Sequence, residues 1–142
     1  MDNLTSWRHR LDIMISYEQG AVPVTVFHLR GELNAASYEQ LQKQAEWAIS
    51  RGTCSLVLDL ADVPYLSSAG IRALNHIFHA LRTNLPEDSD DAIRRGMKAG
   101  TYRSPHLKLA RPTPRVHEIL DLSGVNLFLE IHPDLQAAIA SF

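Results

Sequence analysis

The most informative segment of the sequence reads Pro64-Tyr65-Leu66-Ser67-Ser68-Ala69-Gly70-Ile71-Arg72-Ala73-Leu74. A short apolar run, Ser55–Leu60, precedes it, and such a run is typical of a strand buried on both faces of a sheet. Beyond the glycine, apolar residues recur with the spacing of one helical face, at Ile71, Leu74, Phe78 and Leu81. The segment therefore predicts a central strand, a turn that contains two serines, and a helix that runs to about Arg82.

Strand and helix patterns continue on both sides of this segment. Upstream, alternating runs at Leu11–Glu18 and Val22–Leu29 flank a glycine turn, which predicts an antiparallel hairpin. A helix over about Ala35–Arg51 follows, with Asn34 as its N-cap. Downstream we expect a strand at His106–Ala110, with Lys108 facing outward, and a helix from Thr113 or Pro114 to Leu122. A strand at Val125–Ile131 follows, and then a last helix at Pro133–Ser141, capped by His132 or nearby backbone.

The predicted order of elements is β-β-α-β-α-β-α-β-α. Since strands alternate with helices after the hairpin, we expect an α/β fold with a mixed, mainly parallel sheet, an N-terminal antiparallel edge and flanking helices. A chain of 142 residues fits a single domain, residues 1–142. The pattern lapses over Thr83–Pro105, which predicts a surface insertion at about 83–105 with Asp90–Met97 as a candidate helical turn. Its acidic first half and basic second half can neutralise each other, and a specific binding role is the alternative.

Composition and charge exclude several classes of protein. A net charge of −2 argues against a nucleic-acid binder, which normally carries a basic face. The sequence has no apolar run long enough for a membrane span. The N-terminal stretch Met1–Arg10 lacks the apolar core of a secretory signal, so we expect a cytoplasmic protein. The single cysteine, Cys54, is expected to be a reduced thiol buried in the sheet.

The sequence carries few signs of enzyme chemistry. It has no glycine-rich phosphate loop and no Gly-x-Ser-x-Gly motif. His76 and His79 stand at the spacing of paired metal ligands, but no third ligand is near them, so we expect no metal. Asp59 and Asp62 end the central strand; they suit either Mg²⁺ or, as we favour, a hydrogen bond near the strand end and a turn. We therefore expect no enzymatic activity and no cofactor, with a hydrolase that uses Ser68 and a histidine as a minor alternative.

The serine turn has the physical properties of a modification site. A hydroxyl at the start of a helix lies beside free backbone N–H groups and the positive end of the helix dipole. A phosphate there is tolerated by its own protein, yet it adds about −1.5 to −2 charge to any surface that a partner uses. The alternative is that Ser67 and Ser68 only cap the helix.

A resemblance to a known family favours the first interpretation. The sequence resembles the STAS domain of bacterial anti-sigma factor antagonists and sulfate-transporter tails in four segments, namely Gly31-Glu32-Leu33-Asn34, Leu56-Val57-Leu58-Asp59-Leu60, Tyr65–Leu74, and Leu107-Lys108-Leu109 through Val116–Leu122 and Gly124. The similarity covers most of the chain apart from the first residues and the insertion. It implies that Ser68 is phosphorylated by a kinase that doubles as an anti-sigma factor, and that the unphosphorylated form binds this partner. Many antagonists carry aspartate at the positions of Ser67 and Asn34, and the serine here opens Ser67 as a second acceptor.

The resemblance and the residues together predict a partner-switching regulatory protein. Its partner would be an anti-sigma factor and serine kinase; a phosphatase is a further candidate partner, and a homodimer stays open. We expect the partner to contact the two loops and the following helix, at Asn34, Ser67, Ser68, Ala69, Gly70, Arg72, Asn75 and His76. The alternative is a STAS module that does not switch and instead binds a small ligand, such as a nucleotide or lipid, or serves as a structural subunit of a signalling or transport assembly.

Overall fold

A five-stranded sheet forms the centre of the structure, a computed structural model that describes residues 10–85 and 89–142. The strands are β1 (Asp12–Gln19), β2 (Pro23–Arg30), β3 (Leu56–Asp62), β4 (Leu107–Ala110) and β5 (Glu130–His132). The helices are α1 (Tyr38–Ser50), α2 (Ser68–Asn84), α3 (Asp90–Ala99), α4 (Pro114–Ser123) and α5 (Leu135–Ala140), with a 3₁₀ helix at Val125–Leu127. No helix in the two described ranges is long and apolar enough to cross a membrane.

The strands lie side by side in the order in which they occur along the chain. β1 and β2 pair antiparallel, and β2, β3, β4 and β5 are parallel to one another. The predicted hairpin and mixed, mainly parallel sheet are therefore confirmed. Because the carboxyl ends of parallel strands share one edge of the sheet, the loops that follow β2, β3 and β4 meet there.

Helices cover both faces of the sheet, but unequally. The larger core packs α1, α2 and α4 against one face, with Phe27, Leu58 and Leu109 fully buried at its centre. The other face carries a smaller cluster in which Val26 and Val57 pack against α5. The strand residues alternate between these two cores, as the pleat of a sheet requires.

A hydrogen-bonded polar cluster crosses the smaller face near the carboxyl ends of the strands. Asp59 of β3 is buried, and its carboxylate accepts hydrogen bonds from Arg111 at 2.5 and 3.0 Å. The ring of His28, opposite Asp59 in the neighbouring strand, lies 2.7 Å from the same carboxylate and 2.9 Å from the hydroxyl of Ser16. The predicted hydrogen-bonded role for Asp59 is confirmed, and the cluster joins β1, β2 and β3 to the residue that follows β4.

Arg111 reaches this cluster from a constrained backbone position. Its φ of 54° lies in the left-handed region, where residues other than glycine pay a steric cost. The turn folds the guanidinium back over the end of β4 onto Asp59. Burial by itself raises the pKa of Asp59, but the hydrogen bonds from Arg111 and His28 outweigh burial and hold that pKa below its ordinary value.

The start of α1 differs from the sequence prediction. The helix begins at Tyr38 with Ser37 at the N-cap position, so the assignment of Asn34 as N-cap is wrong. Asn34 instead closes a turn ahead of the helix, because its side-chain oxygen accepts a hydrogen bond of 2.9 Å from the N–H of Ala36. Such a bond two residues along the chain is the characteristic turn of asparagine, and it competes with helix formation.

The C-terminal elements are shorter than predicted. The expected strand Val125–Ile131 is mostly wrong, since Gly124 turns the chain at a φ of 82° into the 3₁₀ helix and β5 begins only at Glu130. The last helix is capped by Asp134, whose carboxylate accepts from the N–H of Ala137 at 2.7 Å, and not by His132.

Two side chains differ from the prediction in whether they are buried or exposed. Lys108 is buried, because α5 covers the side of β4 that was expected to face solvent. Its ammonium group donates to the carbonyl of Ser141 at 2.9 Å and lies 4.6 Å from the ring centre of Phe142. Cys54 is exposed and not buried in the sheet, because β3 begins two residues later at Leu56.

The segment predicted as an insertion contains a full helix, α3, which is longer than the helical turn expected over Asp90–Met97. Within the described residues its charges are partly neutralised locally, since Asp90 pairs with Arg82 of α2 and Asp91 lies 3.3 Å from Arg94. The acidic residues at 87 and 88 fall outside the described residues.

We predict that the buried Asp59 makes the stability of the fold depend on acid. Asp59→Asn should lower the free energy of unfolding at neutral pH by about 1–3 kcal/mol, because the charge-assisted hydrogen bonds to Arg111 and His28 are weakened. The pKa of Asp59 is lower in the folded than in the unfolded chain. The parent's advantage is therefore full above about pH 4 and is lost as the pH falls through the folded-state pKa.

Urea unfolding between neutral pH and pH 2 measures this difference. The matched control is Asp62→Asn, at the exposed end of the same strand, which should change stability by less than about 0.5 kcal/mol. Equal losses for the two variants at neutral pH would contradict the role given to Asp59.

The serine turn as candidate functional site

Backbone pairing holds the serine turn against the loop that follows β2. Leu33 and Leu66 form an isolated parallel bridge. The N–H of Leu33 donates to the carbonyl of Tyr65 at 3.1 Å, and the N–H of Ser67 donates to the carbonyl of Leu33 at 3.0 Å. Both leucine side chains are buried in the larger core. The two loops therefore form one supported surface at the carboxyl edge of the sheet.

Gly70 allows this close approach. A Cβ atom at position 70 would lie 2.6 Å from the carbonyl oxygen of Leu33 and 2.6 Å from Cδ1 of Leu66. Both distances are far inside van der Waals contact, and the first partner is backbone that the bridge holds in place. The glycine is thus required by packing between α2 and the neighbouring loop.

The two serines of the turn have different roles. Ser67 is the N-cap of α2, is half-buried, and its hydroxyl accepts from the N–H of Gly70 at 3.4 Å. Ser68 is the first residue of the helix and its side chain is exposed. The hydroxyl of Ser68 is therefore the more accessible of the two to another protein.

An open groove of about 550 Å³ lies beside Ser68. It separates the start of α2 from α4, and its lining is mostly apolar. The lining residues are Tyr65, Leu66, Ser67, Ser68, Ile71, Arg72, Ile119, Leu122 and Ser123. Leu122 is 81% exposed, so the groove presents an apolar side chain to solvent.

Three of the eight predicted contact residues, Ser67, Ser68 and Arg72, line this groove. Ala69 and Gly70 are buried, so they support the turn and cannot themselves present a side chain to a partner. Arg72 is exposed on the first turns of α2, and Asn34 and Asn75 are half-buried. These three residues, the two serines and the exposed His76 stay predicted contacts.

The histidines of α2 have local partners. The ring of His76 lies 2.6 Å from the carboxylate of Glu46 on α1, and His79 packs against the ring of Phe78 at 5.1 Å. Among the described residues, no group of three or more histidine, cysteine or acidic side chains is placed to hold a metal ion.

Sequence reasoning missed the contribution of α4 to the site. Ile119 and Leu122 line the groove, and Arg115 lies over the ring of Tyr65 at 5.0 Å. One sequence signal could have indicated α4. Val116 and Leu120 form the buried face of this helix, and Leu122 is an apolar residue that lies off that face.

Comparisons with known proteins agree on one family. The family model of the STAS domain matches residues 15–85. A Bordetella bronchiseptica protein named as a candidate anti-sigma factor antagonist, BtrV, is 31% identical over 117 residues, which are 80% of this chain and 82% of that protein.

Solved structures share the fold at low identity. The crystal structure of an anti-sigma factor antagonist from Mycobacterium paratuberculosis superposes with a TM-score of 0.69 at 16% identity, covering 94% of each chain. The anti-sigma factor antagonist SpoIIAA in its unphosphorylated form superposes with a TM-score of 0.57 at 16% identity, covering 83% of this chain and 87% of that one. At this level of identity the superpositions show the fold alone.

We predict that Gly70→Ala destabilises the fold by about 1–3 kcal/mol, because the new methyl group meets a fixed carbonyl and a buried leucine. Chemical denaturation measures the loss, and the amide signal of Ser67 reports displacement of the turn. Ser68→Ala, in the same turn but exposed, should remain within about 0.5 kcal/mol of the parent. Equal stability of Gly70→Ala and the parent would show that the turn is not held as described.

Proposed function

Because this chain belongs to the STAS domain family, we propose that it is a partner-switching antagonist of an anti-sigma factor and is controlled by phosphorylation of Ser68. The partner is a protein that combines anti-sigma activity with serine-kinase activity, and the ATP is bound by this partner. A phosphatase restores the binding form. The observation that carries the proposal is the exposed hydroxyl of Ser68 beside an apolar groove, on a turn whose backbone is held by a neighbouring loop.

The chemistry of the modification needs little from this chain except access. The Oγ of Ser68 attacks the γ-phosphorus of ATP, a new P–O bond forms, and ADP leaves as its bond to the γ-phosphoryl group breaks. A base on the kinase accepts the hydroxyl proton. Because Ser68 occupies the first helical position, the phosphate lies where the helix dipole favours an anion. The fold can accept the phosphate without rearrangement.

Support for Ser68 over Ser67 comes from their hydrogen bonds. Phosphorylation of Ser67 would remove the hydroxyl that caps α2 and would place a dianion in a half-buried position. Both effects cost stability. Phosphorylation of Ser68 disturbs neither the cap nor the bridge between Leu33 and Leu66.

The binding face in this proposal extends across the groove. Arg72 of α2 lines one side and Leu122 of α4 the other. Asn75 follows Arg72 three residues later on α2, and Asn34 belongs to the adjoining loop. An exposed apolar groove with a polar rim is typical of a protein interface. A dianion on Ser68 stands at the edge of this groove, so it changes the surface that a partner must cover.

We predict that phosphate is incorporated at Ser68. The candidate anti-sigma kinases of the source genome are purified and incubated with this chain and ATP, and the site is mapped by mass spectrometry. Ser68→Ala should abolish incorporation, whereas Ser67→Ala should retain most of it. Incorporation that survives in Ser68→Ala and disappears in Ser67→Ala would assign the modification to the other serine.

We predict that negative charge at Ser68 weakens binding of the same partner. Ser68→Asp should lower affinity about tenfold or more, which corresponds to about 1.4 kcal/mol, while Ser68→Ala should bind as the unmodified chain does. Isothermal titration calorimetry measures both. Gln136→Glu, an exposed position on α5 at the other face of the sheet, is the control for net charge and should bind normally. Equal affinity of Ser68→Asp and Ser68→Ala would argue for a module that does not switch.

A further inference from the structure

We propose that, once Ser68 is phosphorylated, Arg72 of the same helix binds the phosphate, so that one modification both adds an anion and withdraws a cation from the partner surface. This inference rests on the proposed function, because it concerns the modified state of Ser68. It assigns to Arg72 a regulatory role within the chain in addition to contact with a partner.

The helical spacing places the two side chains together. Ser68 is the first residue of α2 and Arg72 follows four residues later. Side chains four residues apart in a helix lie on one face, and oppositely charged pairs at this spacing attract each other. Both residues line the same groove, which confirms that they share a surface.

Arg72 is available for this role. Three other arginines are paired with carboxylates, namely Arg82 with Asp90, Arg94 with Asp91 and Arg111 with Asp59. Arg72 is exposed and makes no ion pair with any residue in the described ranges. The residues that line the groove include no carboxylate. Nothing in that lining therefore competes with a phosphate for the guanidinium group.

The chemistry favours arginine over lysine at this position. A guanidinium group presents parallel N–H donors that match two phosphate oxygens, and it forms shorter and stronger hydrogen bonds than neutral donors do. A second positive charge, Arg115, lies over the ring of Tyr65, which lines the same groove. It raises the local potential in the same direction.

The consequence is a reversal of charge at the edge of the groove. Before modification this edge carries the positive charge of Arg72. After modification the edge carries a phosphate of about −1.5 to −2 charge, and the arginine is engaged with it. A partner carboxylate that pairs with Arg72 loses its contact and meets a like charge, so the modified state is rejected by two effects instead of one.

The test requires neither the kinase nor the partner. Phosphoserine is installed at position 68 of the full chain by genetic encoding, and the pKa of the phosphate is measured by ³¹P NMR titration. The Nε–H signal of Arg72 is followed in ¹⁵N spectra with and without the phosphate. The variants are Arg72→Gln, Arg72→Lys and, as a matched control, Arg95→Gln, an exposed arginine of α3.

We expect Arg72→Gln to raise the pKa of the phosphate by about 0.3 or more, because a neighbouring cation favours the dianion. Arg72→Lys should restore part of the difference, and Arg95→Gln should match the parent. The Nε–H signal of Arg72 should move on phosphorylation and stay moved in 0.5 M salt, a condition that screens distant charges. An unchanged phosphate pKa in Arg72→Gln, or an unmoved Nε–H signal, would overturn the inference.

These results are distinct from a failure of the proposed function. If Arg72 binds the phosphate but no anti-sigma kinase modifies the chain, the role of Arg72 is supported and the proposed partner is wrong. If the kinase modifies Ser68 but the pKa of the phosphate is the same with and without Arg72, the proposed switch is supported and the role of Arg72 is wrong.

Discussion

The serine turn depends on one backbone contact, the approach of the Leu33 carbonyl to the start of α2. The bridge between Leu33 and Leu66 orders the turn, and the absence of a side chain at Gly70 lets the helix begin against it. Because the side chains of Leu33 and Leu66 are buried, their packing in the core holds the turn in place. A surface held in this way can present an exposed hydroxyl in a constant position.

The hydrogen-bonded polar cluster around Asp59 supports the same edge of the sheet from its other face. Ser16, His28 and Asp59 form a chain of hydrogen bonds in the order that serine hydrolases use. The surroundings argue for a structural role, since Ser16 lies within a paired strand opposite Val26 and Asp59 is already neutralised by Arg111. The cluster links residues from position 16 to position 111, so it joins the hairpin to the strands that carry the site.

Local patterns in the sequence predicted the elements that adjacent residues determine. The run ending near Leu60 and the helical spacing after Gly70 gave β3 and α2, and the alternating runs gave the hairpin. Contacts between distant segments were harder to predict. The burial of Lys108 depends on α5 covering β4, and the start of β5 depends on the left-handed turn at Gly124. The sequence located Ser68 but not the groove beside it, because its far wall comes from α4, about fifty residues further along the chain.

The two adjacent serines of the turn meet the two different physical requirements of the proposed switch. A residue that caps a helix must keep its hydroxyl engaged, and a residue that is modified must keep its hydroxyl free. Here Ser67 meets the first requirement and Ser68 meets the second. A phosphate added to Ser68 therefore acts on the surface while the cap and the buried bridge remain intact. In the proposed switch the charge of the phosphate would then act against a partner and not against the helix, which is the condition for a reversible signal.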